Sequence, residues 1–547
     1  MKRKFPVVLA AILVVSMLFA ACGSKDGGSA SSADKPAESS TAAESAAEAS
    51  EVSEAVSEST AQTEPSAQVD KHLDVAIYWN ATLDPTDGWG GWWTMRYGVG
   101  ETLLTMNKDM ELETCLADSY EVVNPQTFRF HIRQGVKFSN GNDLTPQIVA
   151  DTITMTAEKN SRGGNLKLES AEVDGEYVIF KTTEPYSGFP FMLTEPMCII
   201  VDTTVDMSDY ATNPICTGPY KAIGYVPDEK WELEANEYYW KGVPSIKYIT
   251  NHNIGADTRI QSMMAGDIAM AYSPSTATLS LIEGSDQYKI ISAVGTRESD
   301  IAINCREGRP TADKNLRLAL AYALNRDVLA QIAGNGTADP LSKPFPDSTG
   351  YDMSKVTGPD YDVALAKDYL AKAGYEDKDG NGYVEKDGEE LVLSILISSS
   401  SGTEVYQSMI DMWKAVGIHA ELDPLENVKD KRSSGDFDIL ANAGWQTMNN
   451  GDGQSYMLNR WTDAGTDNYA GYHSDEFEAI MTKINETFNL EERAALFSDA
   501  AQIIADDCPA IFFAATANYD VINTAVLNDI EIYPIDYYVI DNTWEMK

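Results

Sequence analysis

The composition of the chain changes abruptly near residue 70, and this break decides which part can fold. Residues 23–70 are almost entirely Ser, Ala, Glu, Gly, Thr and Pro, and their only large apolar residues are three valines. Such a segment buries too little apolar surface to offset the entropy of ordering, so we predict a disordered tether. A flexible chain of this length reaches roughly 40 Å. The folded part is therefore expected within residues 71–547, enough for two or three domains or one large multi-lobed unit.

The N-terminus has the three parts of a secretion signal: a basic start at residues 2–4, an apolar run from Phe5 to Phe19, and small residues before Cys22. The apolar run is shorter than the roughly 20 residues that span a bilayer as a helix. Small residues directly before a cysteine resemble the lipobox of bacterial lipoproteins. That resemblance implies a signal peptide over residues 1–21 and a lipid on Cys22, which would hold the protein on the outer face of the cytoplasmic membrane. Plain secretion after cleavage is the alternative.

The remaining cysteines and the net charge exclude several classes of function. The formal charge is −43, and nucleic acids and anionic lipids bind to clustered Lys and Arg, so we expect no nucleic-acid partner. Five further cysteines form no C-x-x-C pair, which excludes a zinc or thioredoxin-like motif at the level of sequence. Cys198 and Cys216 are the pair to test for a disulfide. Five reduced thiols buried in the core are equally compatible with the sequence.

Alternation and helical periodicity interleave along the folded part, which is typical of an α/β protein. Strands are predicted over Thr127–Val136 and Glu389–Ser398. Helices are predicted over Thr311–Ala333, over Tyr361–Ala373, and from the capping residue Asn489 to a point before Pro509.

Motifs for catalysis are missing from the sequence. It contains no H-E-x-x-H, no G-x-S-x-G, no P-loop and no complete dinucleotide fingerprint. Of the five histidines, no two stand at ligand spacing, and His131 within its strand is interpreted as a core residue with satisfied nitrogens. We therefore predict that the protein is not an enzyme and needs no cofactor.

One acidic loop resembles a calcium-binding loop in part. Asp377, Asp379 and Asn381, followed by Gly382, match positions 1, 3, 5 and 6 of an EF-hand. Position 12 is Gly388 rather than Glu, and a strand follows instead of a helix. Two interpretations remain: a calcium site at residues 377–388, or a turn feeding a hairpin.

Two aromatic clusters in glycine-rich segments are the candidate binding residues. Aromatic rings there can wall a pocket, because they bury large areas with little rotamer entropy to lose. The alternative is that the tryptophans fill a core between lobes. The candidates are Trp89, Trp92, Trp93, Arg96 and Tyr97 in the first cluster and Trp445, Met448, Asp452 and Tyr456 in the second.

An ordered series of motifs resembles the family 5 extracellular solute-binding proteins of ABC importers, which include dipeptide, oligopeptide and nickel receptors. The most specific motif is Thr127–Gly141 (TFRFHIRQGVKFSNG). The others are, in order, Glu101–Leu103, Leu116–Ser119, Thr217–Tyr220, Asn236 with Tyr239–Trp240 and Gly242, Ala265–Asp267, Arg317 to Arg326, Ala373–Tyr375, Gly435–Asp438 and the closing helix up to Pro509.

The resemblance implies a fold of the periplasmic-binding-protein type. This fold has two α/β lobes joined by a hinge, with an extra subdomain in the first lobe. Its lobes would comprise residues 72–302 with 503–547 and residues 303–502, preceded by the signal peptide (1–21) and the tether (22–70).

The resemblance also implies a function and partners. A monomer would capture a small solute between its lobes, most simply a short peptide, and deliver it to the permease of an ABC transporter. Arg96 could pair with a ligand carboxylate. In peptide-binding relatives an aspartate three residues after a tryptophan holds the ligand's ammonium group; here that position is Met448, and Asp452 follows. A nickel or opine-like chelate is the alternative ligand, and a cell-surface hydrolase is the alternative class.

Overall fold

The computed structural model describes residues 70–441 and 445–547. The predicted signal peptide, the lipid site Cys22 and the tether lie outside the described residues. No helix within the described ranges is long and apolar enough to cross a membrane.

Twelve strands form the main sheet, in the order β17-β16-β18-β12-β20-β11-β1-β10-β9-β8, with β13 paired to β20 and β19 paired to β12. Their bounds are β1 (His72–Ala76), β8 (Tyr220–Val226), β9 (Lys230–Ala235), β10 (Tyr248–His252), β11 (Met270–Tyr272), β12 (Tyr288–Ile303), β13 (Ala338–Pro340), β16 (Val392–Ser398), β17 (His419–Leu425), β18 (Ile439–Ala441), β19 (Trp445–Gln446) and β20 (Ala510–Asn523).

Two long antiparallel strands, β12 and β20, lie at the centre of this sheet. They pair from Tyr288 opposite Asn523 to Ala302 opposite Ala510, with irregularities between Val294 and Arg297 and between Ser299 and Asp300. One flank is completed by β16, which is parallel to both β17 and β18. The other flank contains β1, which is parallel to both β10 and β11. β12 and β20 therefore join the two flanks of the molecule.

A separate antiparallel sheet, in the order β4-β5-β7-β6, lies outside the main sheet. Phe128, Phe130 and Phe180 alternate into its core, which is also covered by a helix, as the period of two in a half-buried strand requires. Its strands are β4 (Ala117–Asn124), β5 (Thr127–Ile132), β6 (Leu168–Asp174) and β7 (Tyr177–Thr182); two small hairpins are β2 (Leu104–Met106) with β3 (Leu112–Thr114) and β14 (Glu385–Lys386) with β15 (Glu389–Glu390).

The helices of the described residues pack on these sheets. They are α1 (Gly90–Arg96), α2 (Pro146–Lys159), α3 (Phe189–Met192), α4 (Arg259–Ala265), α5 (Lys314–Tyr322), α6 (Arg326–Gly334), α7 (Val363–Lys372), α8 (Glu404–Lys414), α9 (Lys429–Ser434), α10 (Gln454–Trp461), α11 (Asp475–Glu486) and α12 (Leu490–Asp507).

Each predicted element has a counterpart in the structure, but several bounds differ. The single strand predicted over Glu389–Ser398 is divided into β15 and β16, and the helix predicted over Tyr361–Ala373 is α7 (Val363–Lys372). α12 begins after Asn489, whose side chain accepts a hydrogen bond from the backbone N–H of Glu492 at 3.0 Å, as predicted. The single helix predicted over Thr311–Ala333 is wrong: it is divided into α5 and α6. Asn325 causes the division because its extended backbone and side chain cap a new helix through the N–H of Val328. The first predicted strand ends at Ile132 rather than at Val136.

The structure also tests the predictions for His131 and for the cysteine pair Cys198 and Cys216. His131 is not a core residue: 20% of its side chain is exposed on β5, with Nδ1 2.6 Å from the carboxylate of Asp118 and Nε2 3.3 Å from that of Glu176. Its nitrogens are satisfied, as expected. Cys198 and Cys216 are buried free thiols, so the structure favours reduced thiols over a disulfide.

Candidate functional site

Helix α1 positions four of the predicted binding residues. The spacing of Trp89, Trp92, Trp93 and Arg96 places these side chains on neighbouring positions of consecutive turns. The backbone of this helix packs closely against the segment that contains Pro196. A Cβ atom on Gly91 would lie only 2.2 Å from the carbonyl oxygen of Pro196. A glycine is therefore required there, and it brings Trp92 next to Glu195.

Glu195 is a buried carboxylate beside this helix, with 1% of its surface exposed. Trp92 Nε1 donates a hydrogen bond to its Oε1 at 3.1 Å, and Arg162 Nη1 lies 2.6 Å from the same oxygen. The guanidinium of Arg162 also stacks on the ring of Trp89, 3.6 Å from its centroid. Glu195 Oε1 is thus doubly engaged, whereas Oε2 has no hydrogen-bond partner among the described residues.

Arg96 is anchored by Asp536. Its Nε donates to the backbone oxygen of Asp536 at 2.9 Å, and its Nη2 donates to the Asp536 carboxylate at 3.1 Å. Its guanidinium lies over the rings of Trp92 and Trp93. A second arginine, Arg297, approaches the same carboxylate oxygen to 3.6 Å, and 40% of its side chain is exposed. Arg297 is therefore the arginine of this pair with the more accessible charge.

Trp445 reaches the site from the second aromatic cluster. Its short strand β19 pairs with β12, with Trp445 opposite Glu298. The ring lies against the guanidinium of Arg460, 4.7 Å from its centroid. Arg460 in turn donates to Glu298 at 2.9 Å and to Asp300 at 2.6 Å, and all three charged side chains are buried. Burial, with Asp300 nearby, raises the pKa of Glu298 well above its usual range.

These elements line a cavity of about 750 Å³ that is open to solvent on one side. This volume lies within the range of roughly 300–1,000 Å³ found for small-ligand sites. We call it the tryptophan cavity and define it by its lining residues: Tyr78, Trp89, Trp92, Trp93, Arg96, Arg162, Asn165, Met192, Glu195, Arg297, Trp445, Gln446, Asn449, Asn450, Ser455, Asn459, Asp467 and Asp536.

Direct contacts close one side of the tryptophan cavity. The hydroxyl of Thr194 donates to the backbone oxygen of Asn450 at 3.0 Å, and the side-chain amide of Asn450 contacts the sulfur of Met192 at 2.9 Å. Residues far apart in sequence therefore meet at the cavity wall. Trp445 of the second aromatic cluster lines the same space as the tryptophans of the first, although the sequence could only suggest the two clusters as separate candidates.

Asp452 lies outside this lining, and both of its carboxylate oxygens already accept hydrogen bonds from other side chains. Arg493 donates to both of its carboxylate oxygens, at 2.6 and 2.7 Å, and Tyr351 donates to it at 2.7 Å. Both members of the ion pair are almost completely buried. An ammonium group of a ligand would have to displace a bidentate guanidinium, so the structure gives no support to the predicted role of Asp452.

Three other predicted residues also lie away from the cavity lining. Tyr97 and Met448 are in the hydrophobic core, at 0% and 1% exposed. The hydroxyl of Tyr97 donates to the backbone oxygen of Tyr78. Tyr456 is buried and donates to the carboxylate of Glu298 at 3.1 Å. Their side chains support the cavity wall and do not form it.

Apart from Arg96, the charged residues of the cavity were missed by the sequence reasoning. They come from distant segments and belong to none of the motifs: Arg162, Glu195, Arg297, Asp467 and Asp536. The only local signal was the density of aromatic residues around Arg96. Charge pairs between such segments become visible only after folding.

The acidic loop forms the predicted turn and hairpin. β14 and β15 pair directly after it. Asp377 accepts hydrogen bonds from the backbone N–H groups of Gly380 and Gly382, as a turn residue does. Side-chain oxygens of Asp377, Asp379 and Glu385 all lie within 4.8 Å of one another. The side-chain oxygen of Asn381 accepts a hydrogen bond from the N–H of Tyr383. Calcium binding stays a prediction.

Comparison with known sequences gives one family. The profile "Bacterial extracellular solute-binding proteins, family 5 Middle" matches residues 111–468. The nickel-binding protein NikA of Staphylococcus aureus is 24% identical over 457 residues, covering 82% of this chain and 89% of the relative. The oligopeptide-binding protein AppA of Bacillus subtilis is 25% identical over 480 residues, covering 81% and 86%. The glutathione-binding protein GsiB of Pectobacterium atrosepticum is 24% identical over 437 residues, covering 75% and 82%.

Solved structures share the fold. The nickel ABC transporter structure from Bacillus halodurans aligns with a TM-score of 0.77 at 22% identity, over 87% of this chain and 100% of that one. AppA of Bacillus subtilis in complex with a nonapeptide aligns with a TM-score of 0.66 at 21% identity, over 87% and 99%. The predicted fold class, two α/β lobes of the periplasmic-binding-protein type, is confirmed.

Proposed function

Since the chain belongs to the family 5 bacterial extracellular solute-binding proteins, we propose that it captures a short peptide and delivers it to the permease of an ABC importer. The observation that carries this proposal is the tryptophan cavity, where Trp92 and Trp93 face the same space as Trp445. Aromatic walls from distant segments suit capture between lobes, because each side contributes contact area only when the ligand is enclosed. Its relatives include proteins named for binding oligopeptides and glutathione.

We propose binding without chemical conversion. The lining of the tryptophan cavity, drawn from the described residues, contains no histidine and no cysteine. Ser455 is therefore without a histidine base in that lining, and a serine nucleophile needs a base to activate it. This composition argues against a hydrolase that uses a histidine-activated serine or a cysteine nucleophile.

The lobe boundaries of the proposal follow the sequence resemblance: residues 72–302 with 503–547, and residues 303–502. β12 ends at Ile303, at the first of these limits, whereas the second limit falls within α12, the helix that precedes β20. The two strands join the flanks of the main sheet. They are the proposed hinge. A ligand would favour the closed state in proportion to its higher affinity for that state.

We further propose that a lipid on Cys22 and a tether over residues 22–70 hold a monomeric receptor beside its transporter. The support for this part comes from the sequence alone: the basic start, the apolar run and the small residues before Cys22. A reach of roughly 40 Å would keep the receptor close to the permease.

Replacing Trp445 with Ala tests the function directly. We expect at least about a tenfold loss of affinity for a mixture of di- and tripeptides, equivalent to about 1.4 kcal/mol, because one aromatic wall is removed. Trp445→Phe should lose less. Isothermal titration calorimetry gives the affinity, and circular dichroism reports folding.

The matched control is Trp240→Phe. Trp240 is a partly buried tryptophan outside the cavity lining that donates to Glu101, and its change should leave affinity as it is. Unchanged affinity in the folded Trp445→Ala protein would remove Trp445 from the site.

A further inference from the structure

Three tryptophans of the tryptophan cavity keep part of their ring surface accessible. Trp89 is 48% exposed, and Trp93 and Trp445 are half-buried. Guanidiniums hold two of these rings in place: Arg162 lies 3.6 Å from the centroid of Trp89, and Arg460 lies 4.7 Å from that of Trp445. All three tryptophans belong to the lining of the cavity. A ligand therefore meets aromatic surface that is fixed before the ligand arrives.

The charged groups of this lining already have partners. The ion pairs are Arg96 and Arg297 with Asp536, at 3.1 and 3.6 Å, and Arg162 with Glu195, at 2.6 Å. The remaining charged residue of the lining, Asp467, accepts a hydrogen bond from the hydroxyl of Tyr469 at 2.8 Å. A neutral group can enter the cavity without breaking any of these contacts.

The polar groups of the lining that stay free are carboxamides. Asn165, Asn449 and Asn459 line the cavity, and their side chains form no hydrogen bond with another described residue. Asn165 and Asn459 are exposed, and Asn449 is half-buried. Each carboxamide offers two N–H donors and one acceptor oxygen. The groups that use both kinds of atom at once are hydroxyls, since a hydroxyl donates one hydrogen bond and accepts others.

A sugar ring combines the two features that this lining matches. The C–H groups of a pyranose make its faces apolar, and the electron-rich face of an indole attracts such C–H groups. The hydroxyls stand around the rim of the ring, where carboxamides can reach them. A purely apolar ligand would leave the carboxamides unused, and a charged ligand would compete with the existing ion pairs.

We propose that the tryptophan cavity binds a neutral saccharide, with sugar rings packed on Trp89 and Trp445 and hydroxyls bound by Asn165, Asn449 and Asn459. The sugar is either a free disaccharide or a sugar attached to a short peptide, because both present the same ring to the cavity. This goes beyond the proposed peptide function and does not depend on it.

Four kinds of probe test the proposal on the full-length chain by isothermal titration calorimetry. They are three free disaccharides (cellobiose, maltose and N,N′-diacetylchitobiose), their permethylated forms, a tripeptide that carries glucose on a serine, and the same tripeptide without the sugar. We expect at least one free disaccharide to bind and its permethylated form to bind about a hundredfold more weakly. Methylation keeps the rings but removes every O–H donor.

The outcomes separate the two sources of the sugar and the two functions. If only the glycosylated tripeptide binds, at least about tenfold more tightly than the bare one, the sugar is recognised as part of a peptide. If no sugar-bearing probe binds better than its control, the saccharide proposal is overturned, while binding of the bare tripeptide would leave the peptide function standing. Binding of disaccharides alone would overturn the peptide function instead.

Two variants locate the hydroxyls. Asn449→Leu and Asn459→Leu keep the approximate size of the side chain but remove its carboxamide. We expect each to weaken binding of the preferred sugar probe about tenfold and to change the affinity for the bare tripeptide less than about threefold.

Circular dichroism reports folding of both variants, and the exposed position of Asn459 makes its variant the safer of the two. The matched control is Gln331→Leu, which removes an exposed carboxamide on α6, outside the cavity lining, and should bind like the unaltered chain. Unchanged sugar affinity in the folded variants, or an equal loss for the sugar and the bare tripeptide, would overturn the assignment.

Discussion

The ion pair between Asp452 and Arg493 can be tested quantitatively, to decide whether Asp452 stabilises the fold or is available to a ligand. Two hydrogen bonds of 2.6 and 2.7 Å join the groups, and at most 3% of either side chain is exposed. Asp452→Asn preserves the shape but leaves the guanidinium without a counter-charge. Breaking a buried pair in this way costs about 3–5 kcal/mol. Asn keeps one acceptor for Arg493, so we expect the lower end of this range.

The assay is thermal unfolding by scanning calorimetry. An unfolding entropy of about 2.1 cal/mol/K per residue gives roughly 1 kcal/mol/K for a unit as large as residues 68–547, so the Tm should fall by about 3 °C. The double variant Asp452→Leu with Arg493→Met should recover most of this loss, because no charge is left unpaired. The peptide affinity of the folded Asp452→Asn protein should change less than about threefold. That change is much smaller than the loss expected when a residue that contacts the ligand strongly is removed.

An unchanged Tm together with a large loss of peptide affinity would refute this reasoning. That result would mean that Asp452 is available to a ligand and that Arg493 does not depend on it. A ligand's ammonium group would then be expected at Asp452, as the sequence resemblance implies.

Two further predictions concern pH. Burial raises the pKa of Asp520 to about 7, against about 3.9 for an unfolded Asp, so the folded state keeps this proton while the unfolded state loses it. The free energy of unfolding should fall by up to about 4 kcal/mol as pH rises from 4 to 7, and Asp520→Asn should remove that slope in urea titrations. Hydrogen bonds to Asp118, and to a smaller extent to Glu176, raise the pKa of His131. The stability that these bonds add should be present at acidic pH and lost as pH rises through the pKa of His131. NMR follows this pKa, and His131→Gln is the control.

Local chemistry made most of the fold predictable. Asn489 marks the start of α12, because its side chain can accept a hydrogen bond from the backbone N–H three residues later. The same rule, applied to Asn325, would have divided the helix predicted over residues 311–333. That division was missed because the apolar spacing of Leu316, Leu320 and Leu324 continues up to the break, and periodicity alone does not show a cap.

The site was predictable only in its aromatic residues and in Arg96, which stands among them in the sequence. Trp92 and Trp93 stand close together in sequence, and large rings in glycine-rich segments are unusual enough to be noticed. Glu195 and Asp536 carry no such signal, because each acquires its role from a partner more than a hundred residues away. Asp452 was chosen for its position after Trp445, but a residue about 40 positions further along the chain, Arg493, neutralises it.

The buried network under Trp445 connects the cavity wall to the proposed hinge. Trp445 packs on Arg460, and Arg460 is held by Glu298 and Asp300, both on β12. β12 also pairs with β19, the strand that carries Trp445. A side chain stacked on a buried, hydrogen-bonded guanidinium has little freedom to move independently of it. In a receptor that closes about β12 and β20, a ligand pressing on Trp445 would therefore act directly on a hinge strand, and ligand contact and lobe closure would be coupled through Arg460.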